Sequence, residues 1–475
     1  MEKKRGSKEL DKEEIRSNKT DSRLNSTDTL PTSEPSSDQR INSTEAQTPA
    51  KKKSIISIFG PGVITGASDD DPSGIATYSQ AGAQFGFGML WMILFLYPLM
   101  ATVQEICARL GLITGNGLAG IMKKRYSRKI VYPIASLLLI ANTINIGADI
   151  GAMAASIRLI FPQLPLFLVS LSFTAFIVIS EIMVPYEKYV KILKYLTLSL
   201  FAYLITTIIV GGNLQEILMS TIVPNVQLSS DFIMMFVAIA GTTISPYLFF
   251  WQTSEEAEEE VAENKIKDIG KGKPKVSKQE VKLMRADVAI GMAFAQLIMW
   301  GIIVTTAGSL HNNGITDIQT AEQAATALEP LVKSFPQAGV IAKTIFALGI
   351  VGTGLLAIPV LAGSCGYVLS DAFGWKQGLG KKFRKAKYFY LVIAAATITG
   401  FLINFANIDP IKALVYAAVI NGIVSVPLLF IIMKLSNDTN ILGNKTNSRL
   451  SNILGWAAFV IMSVAVIMMF ALWSK

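Results

Sequence analysis

Ser68-Asp69-Asp70-Asp71-Pro72-Ser73-Gly74 sets three consecutive carboxylates and a helix-breaking Pro-Ser-Gly triplet inside a segment that is otherwise apolar from Ile55 to Trp91. An ionisable group at bilayer depth costs roughly 2.5 to 3.5 kcal/mol on insertion scales, so it marks a polar cavity, an ion path or a partner charge. Unwound backbone is tolerated there only where it is buried in protein or lines a cavity. These residues suit a cation held in mid-membrane. A second break follows, where Gly241-Thr242-Thr243-Ile244-Ser245-Pro246 interrupts a later apolar segment. Paired breaks free carbonyls and half-helix carboxyl ends at the midplane, and these favour a cation. Either break alone reads as an ordinary kink. Two in register, one of them carrying carboxylates, read as a site.

The elements that must position these residues are membrane spans. Hydrophobic residues make up 51% of the chain, mean hydropathy is +0.46, and the charges fall in short blocks. Apolar stretches of about 20 residues number eleven: 55–86 (broken), 88–114, 130–161, 164–186, 190–211, 230–253 (broken), 286–310, 338–370, 388–406, 410–433 and 452–473. The breaks fall in spans one and six, five helices apart, which is the spacing of an inverted five-helix repeat. The expected fold is therefore an all-α membrane protein of eleven transmembrane helices. Residues 54–475 form the transport domain, with repeats at about 55–211 and 230–433 and an extra helix at 452–473.

Basic residues cluster in the loops after even-numbered spans: Lys123 to Lys129, Lys188 to Lys194, Lys265 to Arg285, Lys376 to Lys387, and Lys434 to Arg449. The positive-inside rule then places the amino terminus in the cytoplasm and the carboxyl terminus outside a cell membrane. The net charge of +9 is a topology signal; a nucleic-acid footprint would need the basic residues on one face. Residues 1–53 lack an apolar run and read as a disordered cytoplasmic tail without a cleavable signal peptide. Cys107 and Cys365 fall in spans and read as small buried hydrophobes, and His311, the single histidine, lies in an external loop. The external loops Gly211 to Asp231 and His311 to Ser334 have room for short amphipathic helices.

Gly60-Pro61-Gly62, Asp71-Pro72-Ser73-Gly74, Gln80-Ala81-Gly82-Ala83-Gln84-Phe85-Gly86, and Ala108-Arg109-Leu110-Gly111 with Thr114-Gly115 resemble the first two helices of Nramp divalent-metal transporters. The resemblance extends more loosely over residues 55–475. It implies a LeuT-type fold and metal uptake, with the ion held by the Asp and Asn of a DPGN motif on helix one and the Ala and Met of an Ala-x-x-Met-Pro-His motif on helix six. Carried over by position, the Asp is Asp71 and the Asn becomes Gly74. The Ala becomes Thr242, the Met becomes Ser245, the His becomes Tyr247, and a second helix-six histidine becomes Gln252.

These departures replace a soft thioether by a hard hydroxyl donor. Gly74 removes a side chain and leaves room for a cation that keeps several waters, as magnesium does. The pattern resembles the Nramp-related magnesium transporters, with manganese as the alternative ion. Asp71, Gly74, Thr242 and Ser245 form the expected metal site, and Ser68, Asp70 and Asn421 lie on the path or behind the ligands. Asp69 reads as a packing partner, since successive helical residues point about 100° apart.

The resemblance also implies proton transfer through the helix-one Asp, the helix-six histidines and helix-three acids. Here both histidines are absent, and Asn145 and Ala148 stand at the helix-three positions with Asp149 nearby. Uptake without proton coupling follows as the expectation, driven by membrane potential. A proton-coupled Mn2+/Fe2+ transporter and a sodium-coupled organic-solute transporter are the alternatives. An enzyme is not expected, because no nucleophile-base pair, His cluster or nucleotide motif is present. The metal ion and the bilayer are the expected partners, with no cofactor, nucleic acid or obligate protein partner. Glu105 is expected to pair with Arg109 one turn later. Glu255, Glu256, Glu258, Glu259 and Glu260 read as a solvated face, and the Gly/Ala-rich stretch from Gly349 to Gly366 reads as close helix packing.

Overall fold

The computed structural model describes residues 61–184, 200–210, 213–406 and 408–473. The predicted tail, the start of span one and the first part of span five lie outside the described residues. Among the described residues the regular structure is helical and no β-strand occurs.

Span one is two half-helices, α1 (Pro61–Asp69) and α2 (Pro72–Phe85). Pro72 lacks the N–H needed to extend α1, while its fixed φ suits the first turn of a new helix. Asp71 is the N-cap of α2, in extended backbone (φ −68°, ψ 172°), and its side chain accepts from the Gly74 N–H. There follow α3 (Met92–Thr114), α4 (Leu118–Arg125), α5 (Arg128–Ile160), α6 (Leu166–Met183), α7 (Phe201–Val210) and α8 (Leu214–Ile222). The second break separates α9 (Ser230–Thr243) from α10 (Pro246–Ala262), again with proline in the first turn. The chain continues through α11 (Lys278–Ser309), α12 (Ala321–Thr326), α13 (Ala338–Phe373), α14 (Lys387–Ile403), α15 (Pro410–Ser436) and α16 (Arg449–Trp473). Among the described residues eight helical segments, with α9 and α10 counted as one, are long and apolar enough to cross a membrane, and α14 is a shorter apolar helix.

Two expectations are corrected. Span seven begins at Lys278 rather than 286, because Ser277 and Glu280 exchange side-chain to backbone hydrogen bonds in a capping box that starts α11. Span six runs to Ala262 rather than 253, so the glutamate run is helical and largely buried: only Glu259 of the five is exposed, and Glu256 and Glu260 are 2% and 1% exposed. Partners replace water there. The Tyr367 hydroxyl donates to Glu258 Oε2 at 2.9 Å, and Lys265 pairs with Glu260 at 2.9 Å. The pairing of Glu105 with Arg109 is present at 3.1 Å.

Between membrane helices, where lipid is as apolar as leucine, association rests on close packing of small residues. A Cβ on Gly66 of α1 would lie 2.2 Å from the Gly291 carbonyl oxygen of α11. One on Gly241 of α9 would lie 2.3 Å from the Ala418 carbonyl oxygen of α15. Each half-helix that leads into a break is thus held against an unbroken helix by backbone contact. The Gly349 to Gly366 stretch packs in the same way, with Gly354 against Met153 and Gly363 against Trp251. Helix α5 packs on α13, α14 and α15. Phe95, Ile140, Ile179, Ile208 and Ile467 are exposed, as lipid-facing side chains would be. Cys107 and Cys365 are buried and free.

A side chain cannot enter the α9–α15 crossing without moving backbone, and overpacking costs about 1–3 kcal/mol. Gly241→Val is expected to lower the melting temperature of detergent-solubilised protein and remove transport. Gly380→Ala, which meets nothing within 4 Å, should match the wild type in both assays.

Candidate metal site at the two helix breaks

Asp71 occupies the first break and is fully buried. Its Oδ1 accepts from the Ser73 hydroxyl at 2.6 Å and the Gly74 N–H at 2.7 Å, and its Oδ2 accepts from the Asn145 amide of α5 at 2.9 Å. Three donors therefore fix the carboxylate. A Cβ at Gly74 would sit 3.3 Å from both the Asp69 carbonyl oxygen and the Thr242 hydroxyl, so the missing side chain lets these oxygens converge beside Asp71 from the two breaks. The carboxyl end of α1 and that of α9 both terminate here, and each contributes a negative half-dipole.

Ser245 lies at the second break with its hydroxyl turned back, donating to the carbonyls of Gly241 at 3.0 Å and Thr242 at 2.5 Å. It leaves lone pairs, not its proton, for an ion. The Ser68 hydroxyl donates to Ile64 O at 2.9 Å, and the Ser68 carbonyl accepts from Tyr247 Oη at 3.0 Å. The residue at the family histidine position thus ties α10 to the end of α1. The carboxylates of Asp69 and Asp70 are completely buried and have no hydrogen-bond partner among the described residues. Asn421 of α15 reaches the group through Asn145, donating to its Oδ1 at 3.5 Å.

Polar contacts hold both half-helices of span one. Near the start of α1, Thr65 donates to Gln252 Oε1 at 2.5 Å, Gln252 donates to Glu256 at 2.9 Å, and Asp287 accepts from the Gly62 N–H at 2.7 Å. Within α2, Gln80 donates to Thr316 O at 3.1 Å and accepts from the Ile318 N–H at 2.8 Å, while His311 Nδ1 lies 2.8 Å from Ala83 O. Sequence reasoning missed the direct Asn145–Asp71 bond and the Thr65–Gln252–Glu256 chain. The visible signal for the first was three polar residues, Asn142, Asn145 and Asp149, within two turns of an apolar helix.

The arrangement, two broken helices meeting at a buried carboxylate inside a helical bundle, defines a multi-pass membrane transport protein. The manganese transporter of Eremococcus coleocola, solved in complex with an aromatic bis-isothiourea substituted compound, has a similar fold, with a TM-score of 0.68 and 15% identity over 91% of this chain and 90% of that one. MhsT in complex with L-phenylalanine is also similar in fold, with a TM-score of 0.53 and 13% identity over 86% of this chain and 97% of that one. The fold is of the LeuT type. In sequence, the divalent metal cation transporter MntH of Klebsiella pneumoniae (strain 342) is 23% identical over 414 residues, 87% of this chain and 93% of that protein. The pattern of the family described as Nramp, natural resistance-associated macrophage protein-like, matches residues 62–472. The chain belongs to the Nramp family. It is a membrane transporter of divalent metal cations, not an enzyme, and its metal ions are substrates rather than cofactors.

Asparagine caps helices as well as aspartate does, whereas alanine forfeits about 1 kcal/mol. Asp71→Asn should therefore keep the α2 cap, melt below the wild type only by the lost Asn145 bond and lose metal uptake, and Asp71→Ala should lose uptake and melt lower still. Near-normal uptake in a well-folded Asp71→Asn protein would remove Asp71 from the ion path.

Proposed function

We propose that this chain is a cell-membrane transporter for divalent cations that keep part of their hydration shell, Mg2+ and Mn2+, working by alternating access around Asp71, Gly74, Thr242 and Ser245 without proton coupling. The observation that carries this reading is the donor set. The groups that converge at the breaks are oxygens, from the Asp71 carboxylate, the Asp69 carbonyl and the Thr242 hydroxyl, with no thioether or imidazole among them. Hard oxygen donors suit Mg2+ and Mn2+ and give no preference to softer ions. On this reading the two repeats, about 55–211 and 230–433, rock around the site, with the amino terminus and its tail cytoplasmic and the carboxyl terminus outside.

Potential alone is a sufficient drive, since a divalent ion gains about 4.6 kcal/mol from 100 mV inside-negative. Tyr247 and Gln252 hold fixed structural bonds to Ser68, Thr65 and Glu256 where the family's titrating histidines would stand. One observation favours a second reading, proton-coupled Mn2+/Fe2+ transport: Asp149 keeps a carboxylate 3.4 Å from the Asn145 amide that binds Asp71.

Liposomes with an imposed inside-negative potential and internal metal and pH dyes separate the two. Mg2+ and Mn2+ should enter with the potential and compete with each other, while internal pH stays constant. Metal-dependent acidification above the leak of empty liposomes would establish the coupled reading, and Mn2+ uptake indifferent to a large excess of Mg2+ would exclude the magnesium reading. Ser245→Met should shift preference toward Cd2+, read as competition against Mn2+ uptake.

A further inference from the structure

Asp149 is a carboxylate that neither helix break requires. It lies in α5 one turn beyond Asn145, fully buried, and among the described residues its Oδ1 has no hydrogen-bond partner. Its Oδ2 is 3.4 Å from Asn145 Nδ2, the same nitrogen that donates to Asp71 Oδ2 at 2.9 Å. Two carboxylates thus flank one amide nitrogen. On the other side of Asn145, Asn421 donates to Asn145 Oδ1 at 3.5 Å, and its own Oδ1 is buried without a partner among the described residues. A buried carboxylate oxygen and a buried amide oxygen, both lacking donors, therefore border the polar cluster that contains Asp71. Leaving such acceptors unsatisfied costs about 1–3 kcal/mol each, and more where charged, so a donor belongs there.

We infer that Asp149 and Asn421 are acceptors for the water molecules carried by the bound cation and so set its specificity. The inference rests on the reading of Asp71 as the ion's direct ligand. Asn145 stands between the carboxylates and keeps Asp149 from the ion itself. A metal about 2.1 Å from an Asp71 oxygen carries waters that donate across about 2.7 Å, and Asp149 Oδ1 and Asn421 Oδ1 are the partnerless acceptors next to the Asn145 amide that binds Asp71. Mg2+ releases its waters reluctantly and depends on such acceptors, whereas Mn2+ exchanges them for protein oxygens more readily.

The test is potential-driven uptake of Mg2+ and of Mn2+ by Asp149→Asn and Asn421→Ala proteins in liposomes, with Mg2+ binding to detergent-solubilised protein measured by calorimetry. Asp149→Asn is isosteric and keeps the contact to Asn145. It should raise the KM for Mg2+ by about tenfold, the lower end of the loss when a group supporting a metal's ligands is removed, and the KM for Mn2+ by less than about threefold, with the maximal rate preserved. Asn421→Ala should shift the same ratio in the same direction by a smaller factor. An unchanged Mg2+ to Mn2+ ratio in both variants, or a loss of maximal rate alone, overturns the inference while leaving the role of Asp71 standing. Uptake surviving in Asp71→Asn would instead remove the reading beneath it.

Discussion

Everything in the polar centre of this protein is arranged around a carboxylate that serves two purposes with its two oxygens. Asp71 Oδ1 closes the first turn of α2 through Gly74 and Ser73, and Oδ2 is gripped by Asn145 of α5. The first set of bonds makes the helix break, and the break exposes the half-helix ends that favour a cation. The same residue that would bind the ion therefore creates the backbone geometry that makes binding worthwhile. The glycine crossings of α1 on α11 and α9 on α15 then hold the two half-helices against unbroken neighbours, so that the breaks face one another rather than fraying into lipid.

Carboxyl groups are concentrated here. Asp69, Asp70, Asp71 and Asp149 are all fully buried, and among the described residues no lysine or arginine pairs with them. Ionising any of them without a compensating charge would be costly, and an arriving cation would supply that charge. Hydrogen bonds at Thr65–Gln252–Glu256 and at Gln80 with the 316–318 loop tie the two half-helices of span one to their neighbours. They consist of neutral amide and hydroxyl groups apart from Glu256, and each hydrogen bond is worth about 1 kcal/mol.

Much of this was legible in the sequence because the bilayer enforces a strong code. Apolar runs gave the spans, the Asp-Pro-Ser-Gly and Thr-Thr-Ile-Ser-Pro interruptions gave both breaks, and Asp71 stood out as a carboxylate where one is expensive. Less legible was anything that depends on rotation about a helix axis. Periodicity is weak in a helix that is apolar on every side, so the sequence did not reveal that Asn145 faces Asp71 or that the hydroxyl of Ser245 turns back on its own helix. The glutamates of α10 looked solvated because charge usually is; burial became visible only with Tyr367 and Lys265 in place.

The central claim, that one divalent cation sits between the breaks on the Asp71 carboxylate, is tested most directly by anomalous diffraction from crystals of the protein grown with Mn2+. The account predicts a single strong mid-membrane peak within coordination distance of Asp71 and beside Gly74 and Thr242, absent in crystals of Asp71→Asn and displaced by excess Mg2+. A peak at another group of residues, or one that persists undiminished in Asp71→Asn, would contradict it.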